Sequence, residues 1–195
     1  MPTYPSIIYT IIFIISFCCW LIFEVWVFSR DHRTRKSNLQ GLNIRFFALI
    51  AIIIGIVIAF NMPVIVPVSS IRNHFTVFFT LGITFIWIGI FFRYWAIRTL
   101  GKFFRTRLVI QNDHELITKG PYKYLRNPSY TGVLITFIGF GFGVANWLSI
   151  VVFIAVGLFT YIWRIRVEEQ MLSKQFGKAY EDYKKRTWAL IPFVW

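Results

Sequence analysis

The first apolar run, residues 7 to 28, contains one charged residue, Glu24, and is long enough to cross a hydrocarbon layer of ~30 Å as a helix. Further apolar blocks occupy residues 44 to 68, 75 to 97, 129 to 144 and 147 to 163. The last two are shorter and are separated only by Ala145-Asn146, which predicts a tight helical hairpin. Pro63 and Pro67 fall near the end of the second block and predict a kink or unwinding there. A water-soluble fold of 195 residues has no interior large enough for this much apolar side chain, with 57% apolar residues, 20% aromatic and a mean hydropathy of +0.62. Lipid is therefore expected to be the solvent for much of the surface. No basic residue precedes the first block and "RDHRTRK" follows it, so it reads as a retained span and not a cleaved signal.

The polar residues are not scattered. Arg30, Arg33, Arg35, Lys36 and Arg45 flank the first connection, seven basic residues lie between Arg98 and Arg126, and seven between Arg164 and Arg186. Only Arg72 falls in the short connection on the other side, and Arg93 lies inside the third block. Five crossings, with the N-terminus outside and the C-terminus inside, place all three basic clusters in the cytoplasm. The formal charge of +13 is then a matter of orientation and anionic headgroups, and nucleic acid is not an expected partner. The adjacent cysteines Cys18 and Cys19 have neither metal-ligand spacing nor a disulfide framework, so no metal is expected.

The expected fold class is thus an all-α integral, multi-pass membrane protein. It has five transmembrane helices, the last two a hairpin, with a cytoplasmic polar loop and a C-terminal amphipathic helix over "RIRVEEQMLSKQFGKAYEDYKKR". The tail "WALIPFVW" suits an interface or docking on the bundle. Residues 1 to 195 read as one domain, with a membrane scaffold over 1 to 97 and a site-bearing half over 98 to 195.

Several features have plain structural readings. The string "GFGFG" lies inside an apolar block, so Gly139 and Gly143, four apart, form a face for close helix packing and not a phosphate loop. Glu24, six residues before Arg30, is expected to snorkel to the interface or pair there, and Arg93 is read in the same way.

The segment "QNDHELITKGPYKYLRNPSY" is different. Gln111, His114, Tyr122, Arg126, Asn127 and Tyr130 offer donors, acceptors and aromatic faces, while Gly120-Pro121 and Asn127-Pro128 fix turns. Pro128 suits the first position of the fourth helix, which places a dipole-positive helix start beside Arg126, a natural site for an anionic group. Arg164 and Glu168, four apart on one helical face, mark the exit of the fifth span. Because the hairpin's helices are neighbours, residues 126 to 130 and 164 to 168 are expected to converge. Together they suit a polar, zwitterionic ligand with sugar hydroxyls and a flat base.

"GPYKYLRNPSYTG", the hairpin, "WRIRVEEQMLSKQFGKAYEDYKKR" and the closing "LIP" resemble the isoprenylcysteine carboxyl methyltransferase family, part of a wider group that includes phospholipid N-methyltransferases. The likeness covers roughly the last half of the chain, from about Gln111, and its length is that of a compact prokaryotic member. It implies a membrane enzyme that uses S-adenosylmethionine, releasing S-adenosylhomocysteine, to methylate the carboxylate of a prenylated cysteine arriving from the bilayer. It also implies a cytoplasmic active site, in the cell membrane of a prokaryote or the endoplasmic reticulum of a eukaryote. By the family pattern Gln111, His114, Glu115, Leu116, Ile117, Tyr122, Asn127, Pro128, Ser129, Tyr130 and Glu168 line the cofactor pocket, and Arg164 faces the acceptor carboxylate; Arg126 is expected to bind the cofactor beside them, and Arg164 and Glu168 are the expected catalytic residues. The family usually carries histidine where this chain has Asn127; asparagine keeps a donor and an acceptor but does not titrate near neutral pH, which favours a binding role. Three rival readings are a lipid-amine methyltransferase, with His114 or Glu169 as base, an NADPH-dependent protein of the sterol-reductase type, which needs more spans than this chain holds, and a non-catalytic lipid-binding or scaffold protein, which would bind neither cofactor.

Overall fold

The structure, a computed structural model, describes residues 7–29, 39–104 and 116–193, with the backbone alone over 39–49. Six α-helices are present among them: α1 (Ile7–Ser29), α2 (Leu39–Ile65), α3 (Phe75–Leu100), α4 (Pro128–Gly143), α5 (Trp147–Phe176) and α6 (Lys178–Lys184). Three short 3₁₀ turns, Pro67–Ser69, Gly101–Phe103 and Gly120–Lys123, sit in the connections. Three stretches are long and apolar enough to cross a membrane, Ile7–Ser29, Phe75–Phe103 and Trp147–Phe176, and Ile50–Ile65 is a shorter apolar helix.

Pro63 is accommodated inside α2, and the unwinding expected at the end of that block comes after Ile65, where Pro67 opens a 3₁₀ turn. One local expectation changes: the amphipathic segment is not a separate helix. α5 runs for 30 residues from the apolar hairpin straight through Arg164 and Glu168. Nothing between Trp163 and Arg166 interrupts helical hydrogen bonding, so the span and its polar extension form one rod. The break comes at Gly177, whose φ of 52° is in the left-handed region that residues with a Cβ avoid. α6 then folds back as a separate short helix.

The seam between α3 and α4 is the closest packing in the bundle. A Cβ on Gly82 would lie 2.3 Å from the Gly143 nitrogen, and one on Gly139 would lie 2.6 Å from the Ile86 nitrogen. Backbones this close gain dispersion contact, the main attraction available to helices already in lipid. The glycine face expected around Gly139 is therefore used, against α3. On the other side of α4, Phe140 is fully buried and its ring meets Phe13, Phe17 and Trp20 of α1, Phe60 of α2 and Phe153 of α5. α4 is thus the central element, and its ends are fixed by what surrounds it.

At the hairpin turn, buried Asn146 accepts from the Ser149 amide at 3.0 Å and donates to Ser69 Oγ at 2.8 Å. This polar latch joins the α4–α5 turn to the connection before α3.

Glu24 and Arg93, each expected at an interface or paired there, form a salt bridge with each other between α1 and α3, with side chains 28% and 10% exposed. A charge in a span is costly, and a partner on the adjacent helix relieves that cost.

Candidate functional site

The hairpin brings the start of α4 against the polar extension of α5. Asn127 precedes Pro128, which occupies the first turn of α4 where its missing N–H costs nothing. That turn points Tyr130 at α5. The Tyr130 hydroxyl donates to Glu168 Oε1 at 2.6 Å, and Arg164 Nε donates to the same oxygen at 3.1 Å. The Arg164 guanidinium lies over the Tyr130 ring, 5.5 Å from its centroid, while Tyr161 stacks on that ring with centroids 4.7 Å apart. Tyr161, Arg164 and Glu168 are spaced i, i+3, i+7, so they form one stripe of α5 facing Tyr130. The expected convergence of the two segments is present.

The neighbouring Glu169 takes a second connection. Arg126 Nε donates to its Oε1 at 2.7 Å, and Arg126 Nη1 donates to the carbonyls of Lys184, at 3.1 Å, and Thr187. The expectation of an open anion site at Arg126 is therefore revised: its guanidinium is occupied by a carboxylate and by carbonyls at the end of α6. Asn127 Nδ2 donates to the Ala189 carbonyl at 3.0 Å, so its amide nitrogen is engaged with the segment after α6.

That segment docks on the bundle, one of the two places expected for it. Leu125 and Trp188 pair as a parallel bridge, and Ala189 and Leu190 are fully buried. Tyr122 is buried too, and its carbonyl accepts from the Tyr183 hydroxyl at 2.7 Å. Burial pushes the Tyr122 phenol well above its ordinary range, with the Tyr183 and Glu168 charges adding to the effect. Burial likewise raises the phenols of Tyr180 and Tyr183.

Of the sequence-predicted site residues, Tyr122, Asn127, Pro128, Ser129, Tyr130, Arg164 and Glu168 lie around this junction, with Pro128 and Ser129 buried. Leu116 and Ile117 are half-buried in the non-helical approach to Gly120. Gln111, His114 and Glu115 lie outside the described residues. Sequence reasoning missed Tyr161, which is within electrostatic reach of Arg93, Glu24 and Arg164. The only signal for it was a tyrosine one turn before Arg164 inside an apolar block.

The chemistry available is specific. Among the described residues, the bonds to Glu168 arrive at Oε1, from a phenol and a guanidinium, so the carboxylate is held in place from both helices. Arg164 donates Nε to that pair, which orients its guanidinium beside two stacked tyrosines.

The family model described as phospholipid methyltransferase matches residues 77–179, from α3 into α6. The chain is 31% identical over 165 residues to protein-S-isoprenylcysteine O-methyltransferase B of Arabidopsis thaliana, covering 84% of this chain and 82% of that protein. It is 33% identical to protein-S-isoprenylcysteine O-methyltransferase of Schizosaccharomyces pombe, over 66% of this chain and 55% of that one. Among solved structures, the eukaryotic intramembrane Ras methyltransferase, an isoprenylcysteine carboxyl methyltransferase, superposes with a TM-score of 0.62 at 29% identity, over 75% of this chain and 52% of that chain. The chain thus spans most of the Arabidopsis relative and about half of the solved one. The matched region contains Tyr130, Tyr161, Arg164 and Glu168 together. By sequence and by fold, the chain belongs to the phospholipid methyltransferase family, among the isoprenylcysteine carboxyl methyltransferases.

Proposed function

We propose that this protein transfers a methyl group from S-adenosylmethionine to the carboxylate of a prenylated cysteine at a membrane face. The observation that carries the reading is the Tyr130–Glu168–Arg164 constellation at the mouth of the α4–α5 hairpin. Family membership and the isoprenylcysteine methyltransferases among the relatives support the acceptor class.

The residues present fit such a cofactor. Glu168 is a fixed carboxylate that suits hydroxyl or ammonium donors, and half-buried Leu116 and Ile117 with buried Tyr122 offer apolar and aromatic wall for a base. The cofactor would be held by Glu168, Tyr122, the turn Asn127–Tyr130, Leu116 and Ile117, with Gln111, His114 and Glu115 proposed alongside them. When bound, a sulfonium supplies an activated methyl group with a neutral leaving group.

Arg164 grips and orients the acceptor carboxylate, which is already the ionised nucleophile and requires no base. Glu168 keeps the guanidinium in place and presents its other oxygen to the cofactor. Tyr130 fixes Glu168 from the opposite helix. Alignment contributes most of the rate in such a transfer, so rigid supports matter more than proton-transfer groups.

Five crossings with the site on the cytoplasmic side complete the proposal. The three basic clusters, against Arg72 alone in the opposite short connection, support that orientation. Residues 1 to 97 then act as membrane scaffold and 98 to 195 carry the site.

The test is calorimetric binding of S-adenosylhomocysteine to detergent-purified protein, with NADPH as control, followed by methylation of an S-farnesylcysteine analogue. Saturable binding of S-adenosylhomocysteine alone and methyl ester formation are expected. Binding of NADPH alone would move the protein to the reductase class. Binding without esterification of the analogue would leave the cofactor and overturn the acceptor.

A further inference from the structure

The stretch 124–131 is held on two faces. One face carries Tyr130 to Glu168. The other is clasped by residues 183–190: Trp188 donates its amide to the Tyr124 carbonyl at 3.0 Å, Arg126 its amide to Trp188 at 2.8 Å, and Asn127 its amide to Ala189 at 3.1 Å. Side chains reinforce this ladder. Thr131 Oγ1 donates to the Leu190 carbonyl at 2.6 Å, Tyr183 to the Tyr122 carbonyl at 2.7 Å, and the Arg126 guanidinium to two carbonyls after and within α6. Leu190, fully buried, belongs to the same core cluster as Tyr161 and Phe137, which anchors the far end of the clasp.

We infer that segment 183–190 is a strap that sets cofactor affinity, with Arg126, Thr131 and Tyr183 as positioning residues for the Tyr130–Glu168 pair. The inference rests on the methyltransferase reading above. The turn 124–127 is the lead-in to α4, so its position fixes where the first helical turn places Tyr130. Left to itself, it is a Pro-bounded loop joined to α4 through Asn127, whose φ is −126° and ψ 53°. Displacing the strap would strand the Arg126 and Asn127 amides and the Asn127 side-chain nitrogen together, and would take the Thr187 carbonyl from the Arg126 guanidinium. Stranding several donors at once is far more costly than losing any single bond. The carbonyls accept only, so the group of Asn127 facing Ala189 must be its NH₂. Arg126 also reaches Glu169, the residue after Glu168, so the strap, the turn and the site carboxylate form one connected unit.

Thr131 and Tyr183 permit a test, because neither is placed in the cofactor pocket or the acceptor site. In full-length protein, Thr131→Val and Tyr183→Phe remove one strap bond each while keeping side-chain shape. Combined, they are expected to weaken S-adenosylhomocysteine binding by about tenfold, the effect of roughly 1.4 kcal/mol. Hydrogen exchange at the amides of residues 126, 127 and 188 is expected to accelerate in step, with the helical circular dichroism unchanged. Thr131→Ser, which keeps the hydroxyl, should bind within about twofold of the parent. Faster exchange with unaltered affinity would overturn the positioning role, and unaltered exchange would show that these bonds do not hold the strap. If the parent protein itself fails to bind, the methyltransferase reading falls and takes the strap's role with it. Parent binding with an unaffected variant removes the strap alone.

Discussion

The Tyr130 hydroxyl and the Glu168 carboxylate meet at 2.6 Å from two different helices, and Arg164 donates to the same oxygen from one turn away. A bond of this kind, to an ionised acceptor, contributes about 1.5–3 kcal/mol. Tyr130→Phe keeps the ring stacked on Tyr161 and beneath Arg164 but removes the bond that ties Glu168 to α4. We expect kcat/KM to fall between about tenfold and a hundredfold. Steady-state kinetics decide it, and a fall below twofold would remove the hydroxyl from the working site.

Arg164 and Glu168 should tolerate change least. Replacing either with alanine removes the Arg164–Glu168 ion pair from a half-buried position, and in the reaction removes the grip on acceptor or cofactor. Glu168→Ala and Arg164→Ala are each expected to reduce turnover by at least about a hundredfold while the protein still purifies as a folded species. Glu168→Ala should weaken S-adenosylhomocysteine binding, whereas Arg164→Ala should mainly raise the KM for the acceptor. Near-normal turnover in either variant would exclude that residue.

The salt bridge between Glu24 and Arg93 predicts a non-additive pattern. Arg93→Met alone leaves the Glu24 carboxyl without the guanidinium it faces, and Glu24→Gln alone leaves the Arg93 guanidinium without its carboxylate. Both single variants should unfold at lower temperature in detergent, and the double variant should recover part of the loss. Additive losses would show that the two charges are stabilised independently.

The α3–α4 seam makes a steric prediction. A side chain at Gly139 would meet the Ile86 backbone, which has no flexible end to move aside. Gly139→Val is therefore expected to cost about 1–3 kcal/mol or more and to lower the thermal midpoint sharply. Val151→Ala, at a position 60% exposed on the outer surface of α5, should leave the midpoint nearly unchanged.

Tyr122, Tyr180 and Tyr183 make stability fall at alkaline pH. Burial raises each phenol, so the folded state keeps protons that the unfolded state begins to release near pH ~10. Their contribution is fully present below that pH and is lost as pH rises towards the folded-state values. Tyr183→Phe should flatten the decline in thermal midpoint above pH ~10, and an unchanged slope would show that Tyr183 does not titrate on unfolding.

Much of this protein is set by composition and local pattern. The apolar blocks, the tight turn at Ala145-Asn146, the helix start at Pro128 and the pairing of Arg164 with Glu168 all depend on residues close in sequence, so local chemistry suffices to read them. The meeting of residues 126 to 130 with 164 to 168 was also legible, because a short hairpin leaves its helices no alternative but adjacency. Other features belong to the tertiary structure alone. Whether Glu24 reaches an interface or finds Arg93 depends on which helices neighbour each other, and whether Arg126 stays open or is filled depends on where residues 184 to 187 come to rest. Tyr161 joins the site only because the rotation of α5 against α4 brings its ring over Tyr130. These partners lie tens of residues apart, and what selects them is the packing of whole helices, down to the 2.6 Å that would separate a Cβ on Gly139 from the Ile86 backbone.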